Sequence, residues 1–442
     1  MNKSTLALAV AAGVLTQQAG AAGFIEDSKA TLGLRNFYIN TDNRSGAANP
    51  SRNEEWGQGF DLRFISGYTQ GPVGFGVDAI GLLGVRLDSG GGTNGAANGA
   101  AYGGTVFPSE SNGEAVDNFS SLGLTTKAKI SQTELKLGTL QPKLPVIVTN
   151  DGRLLPQTFQ GGQITSGEIK DLTLIGGQIE HVKGRNSSSN EQLSIGGASA
   201  RTANSNKFIY AGGDYKITKD LTAQYYYGNL EDFYKQHFLG LVHNWSIGPG
   251  VLKSDLRYFN SSDDGLNGNT ATYYSNGNYN STANGKGKVD NNLYSGLFLY
   301  TVAGHTFGGG YQVSNGSSDF PWLNQGDGSS AYLTTDSQIA KFARAGERTW
   351  QARYSYDFAK VGVPGLTAGV VYLHGDDIDT RSPASTDSSE WERDLTVGYV
   401  VPEGPLKNVG LMWKNATWRT NIPGQRDQDE NRLIVSYSIP LL

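Results

Sequence analysis

Nine cationic side chains are the residues of this sequence whose types and spacing could do chemistry: Arg35, Arg63, Lys127, Lys129, Lys136, Arg257, Arg353, Lys414 and Arg432. Each occupies a polar position in a segment where apolar residues recur at every second place. In GFDLRFISGY, Phe60, Leu62 and Phe64 alternate with Asp61 and Arg63. In RTWQARYSYDF, Trp350, Ala352, Tyr354, Tyr356 and Phe358 alternate with Thr349, Gln351, Arg353, Ser355 and Asp357. Period-two alternation belongs to an extended strand whose two faces meet different surroundings. All nine cations then lie on the face turned away from the apolar one. Spread over many strands, they could form a basic track down a water-filled wall, drawing carboxylates and offering them successive weak sites. The competing reading is that each cation pairs with an acid of its own face, such as Asp61, Asp78, Glu134 or Asp357.

Other chemistry has little support. The chain contains no G-x-S-x-G, Walker A, H-E-x-x-H or dinucleotide-binding fingerprint. Its five histidines are scattered, and the nearest two, His237 and His243, would stand about 20 Å apart along a strand. With Cys 0, a zinc site has no thiolate partners, and neither a metal nor a cofactor is expected. A Ser–His–Asp hydrolase assembled in space stays open as an alternative. The acidic clusters GDDID (375–379) and RDQDEN (426–431) read as solvated charge at strand ends rather than as calcium sites.

The elements that must position the cations are strands. Alternation picks out eighteen segments: 29–40, 56–69, 72–88, 119–130, 132–141, 161–169, 171–182, 207–217, 221–230, 233–246, 250–260, 292–302, 304–314, 347–358, 366–374, 391–401, 408–420 and 430–441. Gly 60 in 442 residues is about twice the usual share, which argues for turns and close strand contacts over helices. After residue 22 no run of 18 apolar residues occurs, so no transmembrane helix is expected. A transmembrane barrel is compatible, because its strands need only about 9–11 residues and alternate. A mean hydropathy of -0.39 suits both a barrel and a soluble sandwich.

The connections separate the two. Tight ones (67–72, 218–220, 303–305, 401–408) contrast with long ones (42–55, 89–118, 183–206, 261–291, 315–346, 376–390). Short turns at one end and long loops at the other are the habit of outer-membrane barrels. The final stretch, NRLIVSYSIPLL, alternates to its last residues, as closure of a last strand onto the first requires. At the other terminus, Lys3, the apolar run Leu6–Leu15 and the small residues Gly20, Ala21 and Ala22 read as an export signal, leaving 23–442 as one barrel domain. A net charge of -5, with no block of like charges, gives no attraction for nucleic acid.

Several blocks resemble the OprD-type substrate-specific porins of the Gram-negative outer membrane: GFIEDSKATLGLRNFYIN, GYTQGPVGFGVDAIGLLGVRLD, RLLPQTFQGGQITSGEIKDL, DLTAQYYYGNLEDFYKQHFLGL, ERTWQARYSYDFAKVGVPGL and DENRLIVSYSI. They run from residue 23 to the end. The resemblance implies an 18-stranded antiparallel transmembrane β-barrel, monomeric or loosely trimeric, set in outer-membrane lipid and lipopolysaccharide. It also implies passive diffusion of small organic anions through a narrow pore. Two loops would fold inward to make the constriction: about 142–170, with Lys143, Asp151, Arg153 and Gln157, and about 315–346, with Asp319, Asp336, Lys341 and Arg344. The family's basic ladder maps onto Lys414 and Arg432, whereas one position that is usually basic is here Met412. The branch that takes basic amino acids has a Tyr and an acidic residue where this chain has Ile339 and Lys341. The chain is thus closer to OprE-like channels for aromatic or other carboxylates, with a basic amino-acid or small-peptide channel as the alternative within the family.

Overall fold

The computed structural model describes residues 23–45, 51–89, 104–111, 114–196, 203–270, 288–324, 330–381 and 384–442. The export signal read in residues 1–22 lies outside them. So do parts of the long connections after residues 45, 89, 196 and 270.

Eighteen strands form one closed antiparallel sheet. In chain order they are β1 (Lys29–Asn43), β2 (Arg52–Ile65), β3 (Gly74–Asp88), β4 (Asn118–Ile130), β5 (Thr133–Leu140), β6 (Thr158–Ile169), β7 (Leu172–Lys183), β8 (Phe208–Lys216) and β9 (Leu221–Leu230). They continue with β10 (Tyr234–Ile247), β11 (Gly250–Asp263), β12 (Asp290–Val302), β13 (His305–Gly316), β14 (Arg348–Asp357), β15 (Leu366–Arg381), β16 (Ala384–Val400), β17 (Gly410–Thr420) and β18 (Gln428–Pro440). Each strand pairs with the next. β18 closes on β1 in a register running from Thr31 opposite Pro440 to Asn43 opposite Gln428. Closure removes every edge that would leave backbone groups unpaired in lipid.

The alternation sorts the two faces as lipid requires. Leu62, Phe75, Leu122, Leu124, Phe298, Tyr311 and Trp350 stand exposed on the outside. Around RTWQARYSYDF, the rings of His305, Phe307, Tyr354, Tyr356 and Phe358 lie 4.4–5.2 Å from at least one neighbour, forming an interfacial belt at the short-turn end. Gln351, between Trp350 and Ala352, is buried in the lumen.

Several connections fold into that lumen; two of them are the first inward loop, 141–157, and the second, described over 317–324 and 330–347. Their apolar side chains, including Leu144, Val146, Ile147, Phe320 and Leu333, pack on Phe208, Tyr234, Phe238 and Phe259 of the wall. Hydrophobic clusters therefore sit inside the barrel: this one, and a second in which Leu154 and Leu155 of the first inward loop pack with Phe37, Ile39, Leu82, Phe107 and Phe119. Glycine makes room elsewhere: a Cβ on Gly59 of β2 would lie 2.9 Å from the carbonyl oxygen of Leu154 in the first inward loop.

Three expectations are corrected. The first inward loop ends at Gln157, not near residue 170, because β6 already starts at Thr158. Residues 376–381 and 384–390 are the extended arms of the β15–β16 hairpin rather than a long loop. The alternation of tight and long connections has exceptions, since only residues 231–233 join β9 to β10 at the long-loop end.

Candidate pore constriction

The tip of the first inward loop, Asn150 to Arg153, is ringed by arginines from three directions. Arg35 of β1 donates to the two Asp151 carboxylate oxygens at 2.7 and 3.2 Å and to the Arg153 carbonyl at 2.6 Å. Arg432 of β18 stands opposite Lys414 of β17 in the sheet register. Its guanidinium donates to the Gly152 carbonyl at 3.3 Å and the Gln338 carbonyl at 3.0 Å, touching both inward loops. Its acidic partner is Glu430, 2.6 Å away. Arg185, from the connection after β7, donates to Asn150 Oδ1 at 2.9 Å. Burial, then the nearby charge of Arg153 and Arg432, pushes the Arg185 guanidinium down from its ordinary range. Burial and Arg432 do the same to Arg153. Like charges crowded in a throat of low dielectric raise the local positive potential, which an entering anion relieves.

Three wall acids hold the loops. Glu392 of β16 accepts from three consecutive backbone N–H groups of the second inward loop, Gln338, Ile339 and Ala340, at 3.0, 2.9 and 2.7 Å. Glu55 of β2 does the same for Thr105, Val106 and Phe107, at 2.6, 2.8 and 2.9 Å. A carboxylate so cradled has its charge offset by oriented dipoles. Asp394 accepts from the Ser337 hydroxyl.

Arginines hold the carbonyl side of the same loop. Arg257 of β11 donates to the Tyr332 carbonyl at 3.1 Å and stacks on the Tyr332 ring, and Arg353 of β14 donates to the Thr334 carbonyl. These two cations lie in the joint between wall and loop.

Six of the nine cations have an acidic partner. Arg35 pairs with Asp151, Arg63 with Asp61, Lys127 with Asp78, Lys136 with Glu134, Arg257 with Asp255 and Arg432 with Glu430, at 2.6–3.4 Å. Lys127 is buried in the wall. Lys129 lies over the Tyr68 ring at 5.7 Å. Asp357 pairs with no cation among the described residues; it accepts from the Ala359 N–H and caps a short 3-10 turn. Among the described residues, Lys414 has neither an ion pair nor a hydrogen bond; Met412 lies one pleat away on the same face.

The loop candidates divide in the same way. Asp151 and Arg153 belong to the ringed tip. Gln157 is buried, and its N–H donates to the Asn150 carbonyl at 2.8 Å, bracing the loop across its base. Asp319 accepts from the Ala345 N–H at 2.9 Å, with Arg344 at 3.8 Å, bracing the second loop. Lys341 pairs with Asp336 at 3.1 Å beside Trp322. Lys143 is exposed and lines a cavity of about 330 Å³ on the short-turn side of the constriction, with Arg63, Asp78, Lys136, Gln163 and Leu144. That volume lies within the usual range for small-molecule sites, about 300–1,000 Å³.

Sequence reasoning missed Arg185 and the two anchoring acids. Arg185 lies in an irregular stretch without alternation. Glu55 and Glu392 do alternate, but nothing in their spacing announces a loop above them.

Residues 22–441 match the family described as outer membrane porin, OprD family. The chain is 38% identical over 439 residues to the porin-like protein GalP of Pseudomonas putida, covering 99% of this chain and 97% of the relative. It is 35% identical over 470 residues to Porin D of Pseudomonas aeruginosa, covering 100% and 99%. Among solved structures, Pseudomonas aeruginosa OccK8 (OprE) superposes with a TM-score of 0.86 at 62% identity, over 95% of this chain and 100% of that one. Pseudomonas aeruginosa OpdK with vanillate gives a TM-score of 0.82 at 36% identity, again over 95% and 100%.

Proposed function

Because the chain belongs to the OprD family of outer-membrane porins, a family of channels and not of enzymes, we propose that its pore passes small carboxylates by facilitated diffusion. The observation that carries this reading is the convergence of Arg35, Arg153, Arg185 and Arg432 on the tip of the first inward loop. Two of the nearby wall acids, Glu55 and Glu392, are meanwhile occupied by backbone N–H groups. A carboxylate arriving there finds guanidinium edges that match it in charge and planar geometry. Because each edge is already shared with a loop carbonyl or an acid, binding stays weak enough for release, as conduction requires. The solved OpdK complex supports the substrate class, vanillate being an aromatic carboxylate.

The cavity beneath the loop, with Arg63, Lys136 and Lys143, offers the next cationic station, and Leu140 and Leu144 give it an apolar wall for a ring. Liposome uptake tests the reading. Benzoate should enter faster than arginine of similar size, and Arg432→Gln should slow benzoate more than a neutral sugar. Faster entry of arginine would assign the channel to cationic nutrients instead.

A further inference from the structure

Not every strand cation faces the lumen. Arg393 of β16 lies between Glu392 and Asp394, both buried and bonded to the second inward loop, so its own side chain projects from the outer, lipid-facing side. It is exposed, and its Nη2 donates to Asn415 Oδ1 at 3.3 Å and Thr417 Oγ1 at 3.0 Å on the neighbouring strand. Nε and Nη1 have no protein partner among the described residues. The polar row continues sideways: Asn415 donates to Asn431 Oδ1 at 3.1 Å, and Asn431 stands opposite Asn40 in the register of β18 and β1.

The depth of this row can be read from its neighbours. One pleat toward the long-loop end is Trp391, stacked on Tyr372 with ring centroids 5.9 Å apart, in the extracellular aromatic girdle. Toward the short-turn end the outward residues of β16 are Leu395, Val397 and Tyr399. Arg393 therefore sits just inside the extracellular edge of the apolar band, where a guanidinium can snorkel outward but is poorly hydrated. A few strands away, the outward residues of β12 and β13 include Tyr294, Phe298, Phe307 and Tyr311, with no cation among them.

We propose that this face binds a phosphate of lipid A, the glycolipid that makes up the outer leaflet, with Arg393 as the charged ligand. The amides of Asn415 and Asn431 would form the polar floor. A guanidinium held by two hydrogen bonds, with two further donor nitrogens turned outward, is arranged for phosphate. Leu395, Val397 and the adjacent Leu411 and Trp413 provide an apolar track for the acyl chains. A second copy of this chain fits the face less well, because the outward acids beside the row are already engaged: Glu54 accepts from Asn40 at 3.4 Å and lies 3.5 Å from Arg52. Asp429 is likewise shared by Arg419 at 2.8 Å and Arg44 at 2.7 Å.

The test is lipid binding to the detergent-purified barrel, measured by native mass spectrometry with bisphosphorylated lipid A and with its dephosphorylated counterpart. The wild type should prefer the phosphorylated lipid by about tenfold. Arg393→Gln should abolish most of that preference, and Arg393→Lys should restore part of it. The conductance and ion selectivity of Arg393→Gln should be unchanged, which separates this site from the pore. Heat-modifiable gel mobility verifies that each variant is folded. Should Arg393→Gln fail to fold, the phosphate preference of the wild type and its loss in Asn415→Leu decide the matter. Equal affinity for the two lipids, or full preference retained in a folded Arg393→Gln barrel, overturns the proposal. Efficient disulfide dimerisation of an Asn415→Cys variant in membranes also overturns it, in favour of an interface between copies.

Discussion

Arg35 and Asp151 are 116 residues apart in sequence and joined by two hydrogen bonds, from Nη1 and Nη2 of the guanidinium to the two carboxylate oxygens. This pair ties the first strand to the tip of the first inward loop and places a neutralised cation at the constriction. Both partners are partly exposed, so the pair contributes about 0–1 kcal/mol to stability. Its main effect is positional.

Replacing Asp151 by Asn should leave a folded barrel and free the Arg35 charge. Single-channel recordings should show anion selectivity rising by about twofold, with noisier open states as the loop tip loosens. Unchanged selectivity would mean that Arg35 does not contribute to the field at the constriction.

Arg432 touches both inward loops, so its loss acts on charge and on shape. Arg432→Gln should lower the anion-to-cation permeability ratio roughly threefold to tenfold, the equivalent of about 0.7–1.4 kcal/mol of lost attraction. Glu430→Gln should move the ratio the other way. Reversal potentials of the two variants, measured side by side, separate a charge effect from a steric one.

Glu392 anchors three consecutive N–H groups of the second inward loop. Glu392→Gln keeps the volume but offers one acceptor oxygen in place of a charged pair, a loss of roughly 1.5–3 kcal/mol for bonds to a charged group. Brief openings of higher conductance should become frequent as the Gln338–Ala340 segment leaves the wall. Limited proteolysis within 330–347 should quicken in parallel.

Glu347, at the end of the second inward loop, is buried, and burial together with the nearby Glu390 carboxylate raises its pKa well above the ordinary value. The sign follows from linkage. A carboxyl whose folded pKa is raised stabilises the fold below its unfolded pKa, and that contribution is lost as pH rises through the folded value. The unfolding temperature should therefore fall as pH climbs above the ordinary carboxylate range. Glu347→Gln should flatten that dependence, as heat-modifiable mobility at a series of pH values would reveal.

The strands were legible because lipid and lumen impose opposite demands on successive residues, so Leu122, Leu124 and Lys127, Lys129 sort themselves without any knowledge of tertiary structure. Legibility ended where both faces meet water. The stretch around Asp376, Asp377 and Ser388 has no apolar face, so it resembled a loop although it is strand. In Glu392-Arg393-Asp394 three charges stand in a row, and only the contacts of the outer two reveal that Arg393 points to lipid. Arg185 reaches the constriction through the path of its loop, a tertiary fact that no spacing encodes. Conversely, Arg257 and Arg353 were placed on the right face by parity, but their tasks as loop anchors depend on carbonyls about 75 and 20 residues away.

The central claim is that convergent guanidiniums outweigh the lumenal acids. The reversal potential of single channels in a planar bilayer under a salt gradient measures this balance directly, and adding benzoate or arginine to the same membrane identifies the competing ligand. The account predicts an anion-selective potential and a current reduced by benzoate. A cation-selective potential with arginine competing would contradict it, and would mean that Glu430, Asp394 and their neighbours set the field of the pore.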